Sequence, residues 1–419
     1  MSVNLTNITT ILGLIVAIFA ISKIVWNYYK NPKKLRVLFT GDLSGSDKVW
    51  GRGIWEGMKD FLNEDDNKKI EIGDKEFIID IKKFDDKGDI EIAQKIPKKF
   101  LGVFRLRKKP FAIVGPISSE CTKASLPRYL EYYKTESVIH LLPVSTSAVL
   151  VDKNVKISSN VFRMPPSNEI QARLIVKILS RNKWDPWGLY ILHPGGNEKY
   201  LTDLQFQIER TIKENRLSSP IIEGFNSNDE FEQQELSNLI NSDHLKAMVV
   251  IGKWKDQNPN VPAVQRFISH CRVLELRENA QKKIPIILPD WPMPDVAISS
   301  GLQLELLRKV YIMYQILPKA LNGSANPSGP NAYNKIIKYY GYDSLFILKR
   351  ALEQSGSTDM GKIVKLITSG YDFDGKAQKY SYLIDSIENK KGEYHLYDLV
   401  SNNEIQIGHS KECYCKDRN

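Results

Sequence analysis

Cysteine is scarce in this chain, and the common catalytic signatures are missing from it. The four cysteines are Cys121, Cys271, Cys413 and Cys415, too few and too scattered for a disulfide framework. Cys413-Tyr-Cys415 lacks the second pair that a zinc site needs, and Cys121 and Cys271 fall in helical stretches where a free thiol packs as a small hydrophobe. Six histidines form no His-Glu-x-x-His pair. Gly41-Asp-Leu-Ser-Gly45 is not the Gly-x-Ser-x-Gly elbow of a serine hydrolase. Gly51-Arg-Gly53 does not continue as a dinucleotide-binding loop, and no Walker A sequence occurs. No metal, no cofactor and no catalytic residue is therefore expected, and the chain is not expected to be an enzyme.

Acidic residues are in deficit: 49 against 59 Lys and Arg, a net charge of +10. Much of the excess lies in two places, residues 30–36 and 98–109. Neither carries a zinc-finger, helix-turn-helix or aromatic–basic RNA pattern, so nucleic acid is not an expected partner. A solvated helix end or a surface facing anionic lipid accounts for such patches better. Long apolar runs are also rare, with one exception at the start. Residues 1–22 carry no charge, and 8–21 is almost wholly apolar. With Lys23 snorkelling, 8–26 is about long enough to span a bilayer, and Trp26, Tyr28 and Tyr29 supply an interfacial aromatic cluster. The first seven residues have no basic region, no small-x-small cleavage site follows, and there is no Leu-x-Gly-Cys box. A retained membrane anchor is expected over 1–26, with a charged linker at 27–34.

Three short polar turns follow apolar runs: residues 41–51 after Val37–Thr40, Gly115-Pro-Ile-Ser-Ser-Glu120 after Phe111–Val114, and Pro143-Val-Ser-Thr-Ser147 after Val138–Leu141. Helix-period segments follow the first turn (Ile54, Met58, Phe61, Leu62) and the second (Leu126, Leu130, Tyr133). Repetition of strand, turn and amphipathic helix means an α/β fold with a parallel sheet. Turns at the carboxyl ends of such strands gather in one crevice. Here the crevice would hold Ser118, Ser119, Ser145, Thr146 and Ser147, with Trp50 as a wall. Hydroxyls, helix-start amides and one aromatic face suit a small anionic or zwitterionic ligand. Serine at a strand end is also an ordinary helix cap, so Ser119 and Ser147 are sites only if they act together.

The three turns, in this order, resemble the type I periplasmic-binding-protein family, most closely its branched-chain amino-acid-binding branch. Residues 161–168, Met248–Gly252 before Lys253-Trp254, Ile284–Leu288 before Pro289-Asp290, and Tyr340-Gly-Tyr-Asp343 ahead of Leu345, Leu348 and Leu352 extend the similarity from about Leu35 into the 390s. The resemblance implies two discontinuous lobes, each a parallel sheet flanked by helices, joined by three hinge strands. Lobe one would comprise 35–161 and 309–372, lobe two 162–308 and 373–410, and 411–419 a tail. It also implies a ligand carboxylate on Ser119, the backbone at Ser145, and Ser147. An ammonium would meet Asp290. Trp254 would be an aromatic residue near Asp290, Trp50 would line the side-chain pocket, and Asn168 would be a polar lobe-two contact where relatives often carry aspartate. Relatives place a Tyr-Gly pair where Pro194-Gly-Gly-Asn-Glu198 stands, so Asn197 or Glu198 occupies the position of the closing tyrosine.

A small-molecule ligand, an amino acid or analogue, is the expected partner, together with the bilayer and a transporter permease or signalling protein. Two readings stay open at this level: a tethered receptor that hands a solute to a transporter, and a sensor domain that reports occupancy by lobe closure. Lys23, Lys30, Lys33, Lys34 and Arg36 after the anchor favour a cytoplasmic domain by the positive-inside rule. The resemblance favours the extracytoplasmic side, which is the placement expected here. An α/β enzyme is the third alternative and would need a catalytic group that the sequence does not show.

Overall fold

The computed structural model describes residues 16–19, 22, 32–45, 47–67, 69–101, 109–133, 138–147, 150, 160–184, 187–192, 199–215, 217, 221–225, 230–241, 245–252, 284–289, 310–314, 331–382, 395–398 and 404–405. Two sheets organise them. In the first, β1 (Lys33–Gly41), β2 (Ile70–Ile72), β3 (Lys75–Asp85), β4 (Ala112–Val114), β5 (Ile139–Leu142) and β6 (Val161–Arg163) lie in the order β2-β3-β1-β4-β5-β6. All neighbours are parallel except the β2–β3 hairpin. Val37, Leu38 and Phe39 are all buried although consecutive residues face opposite ways, as in a parallel sheet covered on both faces. The expected strand at 77–81 is the middle of the longer β3.

Helices α1 (Lys48–Asn63), α2 (Ile90–Leu101) and α3 (Ser119–Tyr133) are the crossovers. α1 buries Ile54, Met58 and Phe61 at helical spacing. It packs against α7 (Asn331–Ser355), which runs unbroken through Tyr340-Gly-Tyr-Asp343. The reason a glycine is tolerated there is contact. A Cβ on Gly341 would overlap the carbonyl of Ile54, and one on Gly57 would overlap that of Lys338, so the two helix backbones meet directly. Beyond α8 (Met360–Ile367), a two-stranded hairpin, β12 (Phe373–Asp374) and β13 (Lys379–Tyr380), closes over the same core. Asp343 holds it, accepting from Lys376 N (2.7 Å), Ala377 N (2.8 Å) and Tyr380 Oη (2.8 Å).

The second sheet contains β7 (Gly188–Leu192), β8 (Ile221–Phe225), β9 (Met248–Gly252), β10 (Ile286–Leu288), β11 (Val310–Tyr314), β14 (His395–Asp398) and β15 (Glu404–Ile405). Its order is β15-β14-β11-β10-β9-β7-β8. Helices α4 (Asn168–Arg181) and α5 (Lys199–Glu214) pack Ile170, Leu174 and Ile178 with Leu204, Ile208 and Ile212 in its core, and α6 (Glu230–Asn241) follows β8.

The pairings place the strands nearest the expected boundaries in one sheet or core or the other. β6 belongs to the first sheet through β5, and Met164 lies in the first core, so the first crossing follows Met164 rather than preceding 162. β11 pairs with β10 and β14, so the return expected at 309 comes after Tyr314. The hairpin at 373–380 packs on the first core, so the crossing expected at 373 comes after Tyr382. β1 likewise begins two residues inside the expected 27–34 linker, pairing Lys33 with Phe77 and Lys34 with Ile78.

Among the described residues no helix is long and apolar enough to cross a membrane. Apart from residues 16–19, which are helical, and Ser22, the stretch 8–26 lies outside them, as does the tail at 411–419.

Candidate functional site

The first sheet reverses its order between β1 and β4: β3 lies on one side of β1 and β4, β5 and β6 on the other. In an open α/β sheet, this switch point is where the loops diverge and leave a crevice beyond the strand ends. Turn one follows β1, turn two follows β4 and turn three follows β5, so the topology brings the three polar turns together.

Turn one is built by carboxylates. Asp42 accepts from Gly45 N (2.5 Å) and Asp47 N (2.8 Å), while Asp85 accepts from Leu43 N (2.8 Å), Ser44 Oγ (2.6 Å) and Lys87 N (2.9 Å). Asp86 accepts from Thr40 Oγ1 (3.2 Å) and Gly88 N (3.0 Å). Burial, aided by the neighbouring Asp42 and Asp85 charges, raises its carboxyl to about 6. Burial pushes Asp42 up as well, whereas the hydrogen bonds to Asp85 outweigh its burial and lower it. Trp50, in the first turn of α1, is half-buried and packs on the core beneath the turn.

Turn two begins with Gly115, at φ 105°, and a cis bond to Pro116. A Cβ on Gly115 would overlap the carbonyl of Thr40, so turns one and two touch through backbone. His140 is fully buried, and that burial lowers its imidazole to about 4. The ring is therefore neutral, and its Nε2–H donates to Gly115 O at 2.6 Å. The capping of α3 falls to Ser118, whose Oγ accepts from Cys121 N at 3.1 Å. Ser119 is thereby released from the capping role.

The hydroxyls of Ser145 and Thr122 meet at 2.7 Å, among the carbonyls of Pro116, Ile117 and Ser118. Ser145 is completely buried, so its side chain is a strut between turns two and three, and only its backbone could face a ligand. Ser119 and Ser147 do come together: Ser147 N donates to Ser119 Oγ at 3.2 Å. That bond uses an acceptor position on Ser119 and leaves its hydroxyl proton available to a carboxylate, at the start of a 15-residue helix whose dipole favours an anion.

Arg163 fixes the other side of turn three. Fully buried, it donates from Nη1 to Thr146 O (3.2 Å) and from Nη2 to Ser147 O (2.6 Å). Turning those two carbonyls toward a guanidinium orients the peptide planes of the turn. Asn168 N donates to Thr146 O at 2.8 Å, tying the start of α4 to the same turn. The Asn168 side chain is fully buried and donates from Nδ2 to Asp203 Oδ2 at 2.8 Å. Gln171 Nε2 donates to Pro289 O at 2.9 Å, which places the end of β10 beside α4. Asp290 itself, Trp254 and Asn197 lie outside the described residues. Sequence reasoning missed Arg163, Asp203, Thr122 and His140. The signal at Arg163 was an arginine inside an otherwise apolar strand, Val161-Phe-Arg-Met164, where only a guanidinium with carbonyl partners can be buried.

No family model matches the chain, and no curated protein does. Solved structures do. A type 1 periplasmic binding protein from Bordetella pertussis superposes with a TM-score of 0.65 at 16% identity, over 89% of this chain and 99% of that one. The branched-chain amino acid transporter substrate-binding protein LivJ from Streptococcus pneumoniae, in complex with isoleucine, gives 0.61 at 16% identity, over 89% and 98%. The chain has the type I periplasmic-binding-protein fold. A solute-binding protein of an ABC transporter from R. palustris, in complex with benzoate, gives 0.63 at 13% identity, over 90% and 96%. The three turns follow β1, β4 and β5 of the first sheet.

Proposed function

We propose that the chain is a membrane-anchored solute-binding protein that captures a small amino-acid-like carboxylate at turns one to three and hands it to a transporter permease. The observation that carries this reading is the pairing of Ser119 with Ser147 at the sheet's switch point. It supplies a hydroxyl proton, a helix start and a turn oriented by a buried guanidinium. Isoleucine and benzoate, the ligands of two structural neighbours, share only a carboxylate and an apolar body, and this end of the crevice is suited to both. In this reading residues 8–26 hold the protein to the bilayer, and the ligand-binding part faces out of the cytoplasm. Asp290, Trp254 and Asn197 complete the pocket from the second lobe, and lobe closure about the three crossings encloses the solute.

Calorimetric titration of the purified chain with amino acids and aromatic carboxylates tests the reading. Binding of at least one of them, lost or weakened in Ser119→Ala with the melting temperature retained, is the expected result. Binding unaffected by Ser119→Ala would move the site elsewhere.

A further inference from the structure

The first sheet has two chemically unlike ends. Strands β1, β3, β4 and β5 are parallel, so the polar turns lie at their carboxyl ends and the amino ends gather on the far side. Topology brings both basic runs of the sequence to that far side. Lys33 and Lys34 open β1 and are exposed, with Arg36 half-buried beside them. Phe111 N donates to Arg36 O at 2.7 Å, which sets Lys109, exposed and two residues earlier, next to the start of β1. The last turn of α2 adds Lys98 and Lys99, both exposed. That turn is fixed over β4 and β5: Pro97 O accepts from Tyr133 Oη at 2.8 Å, and Phe100 packs with Ile113 and Val138. Lys99 leans over the ring of Phe84, 5.8 Å away.

None of Lys33, Lys34, Arg36, Lys98 and Lys109 has an acidic partner within ion-pair distance among the described residues. The neighbouring acids are engaged or lie on the other flank. Glu76 pairs with Lys69 at 3.0 Å and Asp80 with Lys82 at 3.5 Å, while Glu71 and Asp74 belong to the β2–β3 hairpin. The basic face is therefore confined to the side of β1, β4 and α2. At the crevice end, residues 42–52 and 85–89 hold five aspartates and three basic residues. An anionic surface attracts the first end and repels the second, which orients the sheet on it.

The partner follows from where the chain comes from. Pro32 is six residues beyond Trp26, and an extended chain of that length reaches no more than about 20 Å. With 8–26 in the bilayer, the amino end of β1 stays close to the headgroups, where each lysine or arginine is worth about fivefold in association with anionic lipid.

We infer that the amino-terminal end of the first sheet, formed by Lys33, Lys34, Arg36, Lys98 and Lys109, is a membrane-facing surface that binds the anionic headgroups beside the anchor and turns the crevice away from the bilayer. The inference goes beyond solute binding and rests on the anchor of the reading above for its nearness to the membrane. The contact needs anionic lipid in the leaflet that the domain faces, on whichever side that is. Each charge pair is weak, so the domain can leave the lipid to deliver a solute.

The full chain is placed in lipid discs of phosphatidylcholine, or of phosphatidylcholine and phosphatidylglycerol in equal parts, and its lysines are acylated and read by mass spectrometry. Lys98 and Lys109 should react at least about tenfold more slowly on the anionic discs, and the difference should vanish in 1 M salt. Lys87 at the crevice end and Lys213 on α5 should react alike on both. The variant K33Q/K34Q/K109Q changes exposed positions only, so it should keep the melting temperature. It should lose about 100-fold in association and bring Lys98 within about twofold of its rate on neutral discs. Equal rates for Lys98 and Lys109 on the two lipids would overturn the surface, and so would protection that survives 1 M salt. Equal protection by duplex DNA in solution would overturn the lipid assignment. If the chain does not enter neutral discs, the anchor falls while the surface is still decided: anionic vesicles should then protect the same lysines at low salt, and their failure to do so would overturn it as well.

Discussion

Ser119 and Ser145 are both serines at the start of a crevice, yet their surroundings give them opposite duties. Ser145 shares its hydroxyl with Thr122 beneath two carbonyls; Ser119 uses only its acceptor side, on Ser147 N. Ser119→Ala should therefore weaken a carboxylate ligand by about 1–3 kcal/mol, the worth of one charge-assisted hydrogen bond, measured by calorimetric titration. Ser145→Ala should act on stability instead, because it removes a buried hydroxyl that ties Thr122 and the carbonyls of turn two to turn three, while the Thr122 hydroxyl keeps Ser118 O. Asp86 makes a different prediction at this scale. Its carboxyl stands at about 6 in the fold against about 3.9 in an unfolded chain. A raised carboxyl costs nothing below the unfolded value. The penalty grows as pH climbs from about 4 to about 6 and is complete above that. The interval corresponds to about 3 kcal/mol at most. Asp86→Asn keeps an acceptor for Gly88 N and removes the charge. Urea unfolding at pH 4 and pH 7.5 should show the variant losing about 1–3 kcal/mol less than wild type over that range. Identical losses in both proteins would show that Asp86 does not titrate there.

At the scale of elements, the strands and crossover helices were legible because burial repeats with a fixed period. β7 at Gly188–Leu192 and β9 at Met248–Gly252 match continuous apolar runs. Ile170, Leu174 and Ile178 mark the inner face of α4. The hairpin at 373–380 was not legible: its strands are two residues each, and its hold is Asp343, thirty residues away. Arg163 and the Asn168–Asp203 pair escaped for the same reason, since a buried polar residue is defined by partners that sequence spacing does not reveal. The Tyr340-Gly-Tyr-Asp343 motif was seen as the lead into a helix, and it lies within one. Its glycine serves the close crossing of α1 and α7, where Gly57 and Gly341 each face a backbone carbonyl of the other helix. Neither carbonyl can retreat without moving its helix, so Gly57→Ala should destabilise by about 1–3 kcal/mol or more. A surface-helix Gly→Ala change would instead stabilise by up to about 1 kcal/mol. Denaturant unfolding distinguishes the two by sign.

For the whole molecule, the first sheet begins beyond the stretch expected to anchor. β1 starts at Lys33 and pairs along its full length with β3. Its first two residues join the ladder by Lys33 and Lys34, which lie beside solvent rather than in the core. A chain beginning at Pro32 therefore keeps every pairing of the first sheet, whereas one beginning at Leu35 loses two and should be slightly less stable. If residues 8–26 form the anchor, removing 1–31 should release the protein from membranes and leave its thermal unfolding and ligand affinity unchanged. Fractionation should be done at high salt, because the lysines and arginines near the start of β1 and along 98–109 can hold the domain to anionic lipid by charge alone. Salt shortens the reach of that attraction to a few ångströms, about 3 Å at 1 M, while leaving an apolar span in place. The full chain should then sediment with washed membranes and the shortened one should not. Sedimentation of both would assign membrane attachment to the folded part of the protein. Release of both by salt would make the attachment electrostatic and leave residues 8–26 without an anchoring role.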